Sequence, residues 1–232
     1  MNAAVRPEAI LFDLDGTLVD SERENVESVV LAVRHLGAEL SAEERAFVIG
    51  HSWNEIHALI ARNHGLTVSM AALIASAVEE KRGLMAATGY RALPGAQAAV
   101  QRLGARSALA VVSGASRAEV EDALTSIGVI AAMRLWLGAE DYARGKPAPD
   151  SFAMAIDRLG VRASACVAIE DATPGILSAR AAGARVIGVR AGNFAGYDLS
   201  PADVVVDTLD DVTDELCGRL VQNPQWVPNL PR

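Results

Sequence analysis

The sequence predicts an α/β fold in which a parallel sheet carries an inserted, all-helical cap domain, and three observations predict it. Five short apolar runs, Ile10–Asp13, Leu109–Ser113, Cys166–Ile169, Arg185–Val189 and Val204–Val206, read as strands buried on both faces, with a weaker sixth at Leu135–Gly138. Helical patterns separate most of these runs, the alternation expected of parallel strands joined by crossovers. The segment from about Val19 to Leu93 breaks that rhythm, holds no clear strand and reads as successive helices.

In chain order, the apolar stretch Ala9 to Phe12 reads as a buried strand and not as a secretory leader. In the helical segment Val26, Val29, Val30, Val33 and Leu36 share one face, and Gly37 stops that helix. Ser41-x-x-Glu44 caps the next helix. Trp53, Ile56, Leu59 and Ile60, and then Met70, Leu73, Ile74 and Ala77, continue the helical period. Hinges are expected near Thr17–Ser21 and Thr88–Pro94, which divides the chain into a core, residues 1–17 plus 93–232, and a cap, residues 18–92. Beyond the second strand, Ser116-x-x-Glu119 is a capping box opening a helix. Thr173-Pro174 places a cap residue before a proline at the first helical position, and Gly183 ends that helix. Residues 223–232, with three prolines, read as an extension outside the repeating units.

Composition narrows the function. With 51% hydrophobic residues among 232, the chain can bury one large core with a modest insertion. A formal charge of −8 supplies no basic field to gather phosphates, which argues against a nucleic-acid partner. No run of eighteen apolar residues is present, so no membrane partner is expected. Cys166 and Cys217 are distant in sequence and flanked by apolar residues, as expected of reduced core thiols in a cytoplasmic protein. Of 21 basic residues only Lys81 and Lys146 are lysine, which marks both as positions where a compact ammonium is preferred over a guanidinium.

Four segments carry the chemistry. Phe12-Asp13-Leu14-Asp15-Gly16-Thr17 puts two carboxylates two residues apart at the end of a buried strand, so both are expected to point the same way. That end is where open α/β sheets bind ligands. Taken alone, the pair could equally be a strand-ending acidic turn. Ser113-Gly114 ends the second strand with a hydroxyl and a flexible amide suited to phosphate oxygens, although Ser-Gly after a strand is often only a turn. Gly145-Lys146-Pro147 puts a lysine in a constrained loop; it is not a P-loop, since position 140 is Glu and Pro147 replaces the required hydroxyl residue. Ile169-Glu170-Asp171 ends another strand with two more carboxylates, where helix capping by Asp171 is the alternative role. Four carboxylates gathered at strand ends would repel strongly: two like charges at ~4 Å cost about 4 kcal/mol at an effective dielectric of 20. Such a cluster calls for a divalent cation, and all-oxygen ligands favour Mg²⁺.

These four segments, in this order and spacing, resemble the four motifs of the haloacid dehalogenase superfamily over residues 9–212. A helical cap after the first motif resembles the branch containing β-phosphoglucomutase and many sugar-phosphate phosphatases. The resemblance implies a Rossmann-like core and a phosphoryl-transfer site. It gives Asp13 as nucleophile, Asp15 as general acid/base, Ser113 with Gly114 as phosphate binders, and Lys146 as the group stabilising nucleophile and phosphate. It places Mg²⁺ on Asp13, the Asp15 backbone carbonyl and Asp171, with Glu170 close by or ligating. In the cap, Gly50-His51-Ser52-Trp53-Asn54 resembles the family's specificity loop and Lys81-Arg82 a basic pair facing the substrate, while helix-start packing is an equal reading for His51 and Trp53. β-Phosphoglucomutase has arginine where this chain has Trp53 and histidine where it has Asn25, and Thr17 is typical of the phosphatases.

The expectation is therefore a Mg²⁺-dependent phosphatase acting on a small phosphorylated metabolite, a sugar or polyol phosphate, as a monomer or small homo-oligomer. Cap closure would exclude bulk water. A phosphomutase shares every core residue and is the alternative; a non-catalytic metabolite-binding module would be suggested by a damaged core, which this is not. His35, His57 and His64 are expected to pack or face solvent, not to bind metal.

Overall fold

The computed structural model describes residues 6–49, 51, 53–193 and 196–223. These residues form two compact units, one of residues 21–90 with 196, the other holding the remainder.

The larger unit holds β1 (Ala9–Phe12) and β2 (Val19–Asp20) before the helical segment. After it come β3 (Arg91–Ala92), α5 (Ala96–Gly104), β4 (Ala108–Val112), α6 (Arg117–Ser126), β5 (Leu135–Leu137), α7 (Asp150–Leu159) and β6 (Cys166–Glu170). α8 (Thr173–Ala181), β7 (Arg185–Val189), β8 (Val204–Val206) and α9 (Asp214–Gln222) complete it. Six strands make one sheet in the order β5-β4-β1-β6-β7-β8, and every pairing is parallel. β1 has no exposed residue: Ala9, Ile10, Leu11 and Phe12 are each 0% accessible, which explains an apolar run without alternation. One face of the sheet packs Leu11, Ala110, Val112 and Ala168 against Phe152, Ile156 and Ile176 of α7 and α8. Both cysteines are buried free thiols, and burial pushes each up to about 12.

The chain runs from β1 to β4 and β5 on one side, then crosses to β6, β7 and β8 on the other. The strand order therefore reverses at β1, and an open parallel sheet is splayed for ligands at the carboxyl ends beside such a reversal. β2 and β3 pair antiparallel as two-residue strands where the chain leaves and re-enters this unit. Two residues show no periodicity, which is why the sequence reading assigned no strand there.

The smaller unit is helical: α1 (Glu22–His35), α2 (Ala42–Val48), α3 (Trp53–His64) and α4 (Met70–Thr88). Val29, Val30, Val33, Ile56, Ile60, Leu73 and Ala77 form its own core. Ser41 and Glu44 make the expected capping box on α2, as Ser116 and Glu119 do on α6. Two details correct the sequence reading. Leu36 is 38% exposed, because it is the C-cap residue of α1, and the helical period that would bury it has ended. α8 begins at Thr173 with Ala172 as N-cap, so Pro174 is the second helical residue; the Thr173 hydroxyl donates to the Asp198 carbonyl at 2.7 Å instead of capping the helix. Among the described residues, no helix is long and apolar enough to cross a membrane.

Candidate active site

Three adjacent strands, β4, β1 and β6, deliver the site residues at their carboxyl ends. The Asp13 N–H donates to the Ile169 carbonyl at 3.0 Å, carrying the β1–β6 ladder one residue past Phe12. The Ser113 N–H likewise extends β4 by donating to the Leu137 carbonyl at 3.1 Å. Glu170 is the last residue of β6 and Asp171 follows it. Carboxylate oxygens of Asp13, Glu170 and Asp171 lie within 4.8 Å of one another, and all three residues are buried.

Lys146 reaches this cluster from the loop between β5 and α7. Its ammonium has three donors and three acceptors: an Asp13 carboxylate oxygen, Glu170 Oε1 at 2.6 Å and the Val112 carbonyl at 3.0 Å. The Phe152 ring lies beneath it, with the ammonium 5.0 Å from the ring centroid. The second Glu170 oxygen accepts from the backbone N–H groups of Asp171 at 3.1 Å and Ala172 at 3.2 Å, which fixes that carboxylate's plane.

The electrostatics show what the cluster lacks. Burial pushes Asp13 up to about 7; Lys146 opposes the shift, and Glu170 and then Asp15 add to it. Burial, with Asp13 and Glu170 nearby, also holds Asp171 well above the usual carboxylate range. Burial would depress Lys146, but the Asp13 and Glu170 carboxylates outweigh it and hold the ammonium above its ordinary pKa. With all groups ionised, three carboxylates against one ammonium leave two negative charges in a buried, all-oxygen site. A hard divalent cation fits that donor set and that charge.

Glycines make room for these carboxylates. Gly16, at φ +79°, lets the chain reverse directly after Asp15; a Cβ there would lie 2.2 Å from an Asp171 oxygen. A Cβ on Gly175 would lie 1.6 Å from Glu170 Oε1, and one on Gly192 would lie 1.5 Å from the Gly16 carbonyl. The buried Thr17 hydroxyl makes a long contact, 3.5 Å, with Asp171.

Of the residues singled out from sequence, the structure brings together Asp13, Lys146, Glu170 and Asp171, with Ser113 and Gly114 on the neighbouring strand end. Asp15 differs from the expectation of four converging carboxylates. It lies in the turn, its backbone bridged to Val19, and its carboxylate is outside the three-residue cluster. The β1 ladder ends at Asp13, so strand alternation no longer fixes the direction of a side chain two residues on. In the helical unit, Trp53 packs against that unit's own core, and His51 is half-buried with its ring stacked on Phe47 at 3.6 Å. Lys81 is half-buried on α4, and Arg82 is exposed and paired with Glu79. Gly50 and Ser52 of that loop, and the tail 224–232, lie outside the described residues.

Sequence reasoning missed Phe152 and Gly192. A glycine three residues past the end of β7 is a signal for Gly192, whereas Phe152 reads as ordinary helix core.

Residues 10–189 match the family described as haloacid dehalogenase-like hydrolase. The chain is 33% identical over 212 residues to the validoxylamine A 7'-phosphate phosphatase of Streptomyces hygroscopicus subsp. limoneus, covering 87% of this chain and 94% of that one. It is 34% identical over 213 residues to hexitol phosphatase A of Escherichia coli strain K12, covering 90% and 94%. Among solved structures, CbbY from Rhodobacter sphaeroides in complex with phosphate superposes with a TM-score of 0.70 at 24% identity, covering 89% of this chain and 96% of that one, a likeness of fold. A match over most of the chain, joined to a parallel sheet whose central strand ends in a buried acidic cluster, makes this chain a member of the haloacid dehalogenase-like hydrolase family.

Proposed function

We propose that this chain is a Mg²⁺-dependent phosphatase that hydrolyses a small phosphorylated metabolite, a sugar or polyol phosphate, through an aspartyl-phosphate intermediate. It is a phosphoric monoester hydrolase by family and by its relatives, two of which are named for validoxylamine A 7'-phosphate and for hexitol. The observation that carries the mechanistic reading is Asp13: a buried carboxylate at the end of the central strand, held by Lys146 and flanked by Glu170 and Asp171.

In this reading Asp13 attacks phosphorus while Asp15 protonates the leaving alcohol. Asp15 then takes a proton from water, which cleaves the acyl phosphate and restores Asp13. Lys146, the Ser113 hydroxyl and the Gly114 N–H meet the charge on the phosphoryl oxygens. Asp13, the Asp15 carbonyl, Glu170 and Asp171 would hold Mg²⁺, which when bound neutralises phosphate charge and keeps Asp13 ionised. His51, Trp53, Lys81 and Arg82 would contact the rest of the substrate. Arg82 is partly neutralised by Glu79 on its own helix, which weakens the basic pair as the second phosphate site a mutase needs.

The test is phosphate release from a panel of hexose, hexitol and cyclitol phosphates with Mg²⁺, run beside Asp13→Asn. Phosphorus NMR on β-glucose 1-phosphate with a trace of the bisphosphate distinguishes the alternative. Conversion to glucose 6-phosphate faster than phosphate appears would replace hydrolysis by mutase activity and leave the core roles standing.

A further inference from the structure

The loop between β5 and α7 grips the chain that follows β4 at several points. A Glu140 oxygen accepts from the Arg117 N–H at 2.9 Å. One Asp141 oxygen accepts from the guanidinium groups of Arg117 at 3.3 Å and Arg158 at 2.8 Å, and the other accepts from the Gly138 N–H at 3.0 Å. Gly138 lies so close that a Cβ there would be 2.2 Å from the Arg117 nitrogen. The Tyr142 hydroxyl donates to the Ser113 carbonyl at 2.7 Å, and four residues on Lys146 takes the preceding carbonyl, Val112, at 3.0 Å. Two successive carbonyls at the end of β4 are therefore held by two side chains of one loop.

A peptide group is planar, so the Ser113 carbonyl and the Gly114 N–H are opposite ends of one rigid unit. Fixing the carbonyl fixes the direction of the N–H. The flanking residues are tied elsewhere, the Ser113 N–H to the Leu137 carbonyl at 3.1 Å and the Ala115 carbonyl to the Ala139 N–H at 2.8 Å. Gly114 between them has the wide conformational range of glycine, and a Cβ there would meet nothing within 4 Å; the Tyr142 bond falls on the peptide itself. The Ser113 hydroxyl is oriented by the same turn, accepting from the Ala115 N–H at 3.0 Å. Burial holds the Tyr142 hydroxyl above its usual pKa, so it remains a donor at neutral pH. A donor aimed in advance at developing charge needs no reorganisation during reaction, and this is where backbone amides contribute most to catalysis.

We infer that Tyr142 is a positioning residue: its hydroxyl fixes the Ser113–Gly114 peptide so that the Gly114 N–H is a preset donor to a phosphoryl oxygen. The inference rests on the reading of Ser113 and Gly114 as the phosphate site, and Tyr142 itself touches no substrate.

Tyr142→Phe removes the hydroxyl and keeps the ring, so the fold is expected to survive. With Mg²⁺ present, kcat/KM on a small aryl phosphate should fall about tenfold, the inhibition constant for vanadate should rise about tenfold, and that for inorganic phosphate about threefold. The greater effect on the transition-state mimic is the signature that a packing role would not produce. Unchanged inhibition constants, with or without a lower melting temperature, would make Tyr142 structural and overturn the inference. Ser113→Ala separates the two levels of the argument. If it weakens both inhibitors and Tyr142→Phe weakens neither, only the inference falls; if it weakens neither, the phosphate-site reading falls and takes the inference with it. A second measurement uses the wild-type protein with ¹⁵N-glycine: the Gly114 amide should be among the resonances vanadate moves most, and an unmoved Gly114 overturns the inference.

Discussion

Asp13 in the sheet unit and Glu44 in the helical unit are equally little exposed, 8% each, yet their carboxyl groups are shifted in opposite directions. Asp13 is pushed up to about 7 by burial, with Glu170 and Asp15 adding to the effect against Lys146. Glu44 is held below the usual range by donors placed around it, Asn63 at 2.8 Å, the Ser41 N–H at 2.8 Å and His64 at 2.9 Å. Glu44 is satisfied by its own unit and ties α2 to the end of α3. Asp13 has one ammonium, Lys146, against the charges of Glu170 and Asp15, so the cost of burying it is left partly uncompensated until a further cation or a proton arrives. Equal exposure therefore does not give two carboxylates equal roles; how far their surroundings compensate the buried charge does.

The largest test of that contrast is Asp13→Asn. The amide keeps the shape but is a poor nucleophile, so kcat should fall by at least about 10⁴-fold with the melting temperature unchanged or raised, because a buried charge has been removed. Retention of a tenth of the activity in a preparation free of contaminating phosphatase would refute Asp13 as nucleophile. Glu44→Gln, the matching change in the helical unit, should leave kcat within about twofold and lower stability by ~1 kcal/mol, measured by denaturant titration.

Lys146→Arg comes next. The ammonium is enclosed by three oxygen acceptors from Asp13, Val112 and Glu170, with an aromatic ring below, and its side chain is only 14% exposed. A guanidinium is planar and wider, and cannot point three donors tetrahedrally into that space. Activity should fall about 10²- to 10³-fold, nearly as far as in Lys146→Ala. An arginine variant working at the wild-type rate would show that charge alone is needed there.

The same contrast governs what was legible in the sequence. Arg185–Val189 and Val204–Val206 were read to the residue, because strands covered on both faces leave an unbroken apolar run. Asp13, Lys146, Glu170 and Asp171 were legible because each directly follows or ends such a run, or stands out by residue type. Asp15 was legible as a neighbour whose charge Asp13 feels, but not as lying outside the three-carboxylate group, because it sits in the turn at Gly16, which strand spacing does not describe. Gly175 and Gly192 matter through contacts with Glu170 and Gly16 that are distant in sequence or hidden in a turn. In the helical unit the apolar period gave the helices, but it could not say how Trp53 divides between core and surface; it packs on the core and stays partly exposed.

A smaller effect links pH to the cation. Unfolded, Asp13 titrates near the ordinary 3.8, whereas folded and metal-free it titrates at about 7. Between these values the folded state holds more protons than the unfolded, so metal-free stability should fall as pH rises from about 4 to 7. Mg²⁺ stabilises the ionised form and opposes that loss. The gap between the melting temperatures with Mg²⁺ and with chelator should therefore widen from pH 5 to 7.5 by about 4 °C, equivalent to ~1–2 kcal/mol for a chain of this size. A gap that stays constant with pH, or that widens equally in Asp13→Asn, would remove Asp13 from the cation site.

The smallest expected effect belongs to Lys81→Ala, and it probes the helical unit where the sequence was least informative. Lys81 is half-buried on α4 and is one of only two lysines in the chain; its neighbour Arg82 is paired with Glu79. An ammonium there would act on the part of the substrate away from phosphorus, where binding is the same in ground and transition states. Removing uniform binding raises KM and spares kcat. KM for the preferred sugar or polyol phosphate should rise about fivefold, ~1 kcal/mol, while a small aryl phosphate lacking those hydroxyls should be hydrolysed as before. An equal loss on both substrates would place Lys81 in the chemistry or in the fold. No change on either would leave the helical unit's contribution to specificity to His51 and Trp53, and single alanine substitutions of those two, assayed on the same pair of substrates, would then decide which of them carries it.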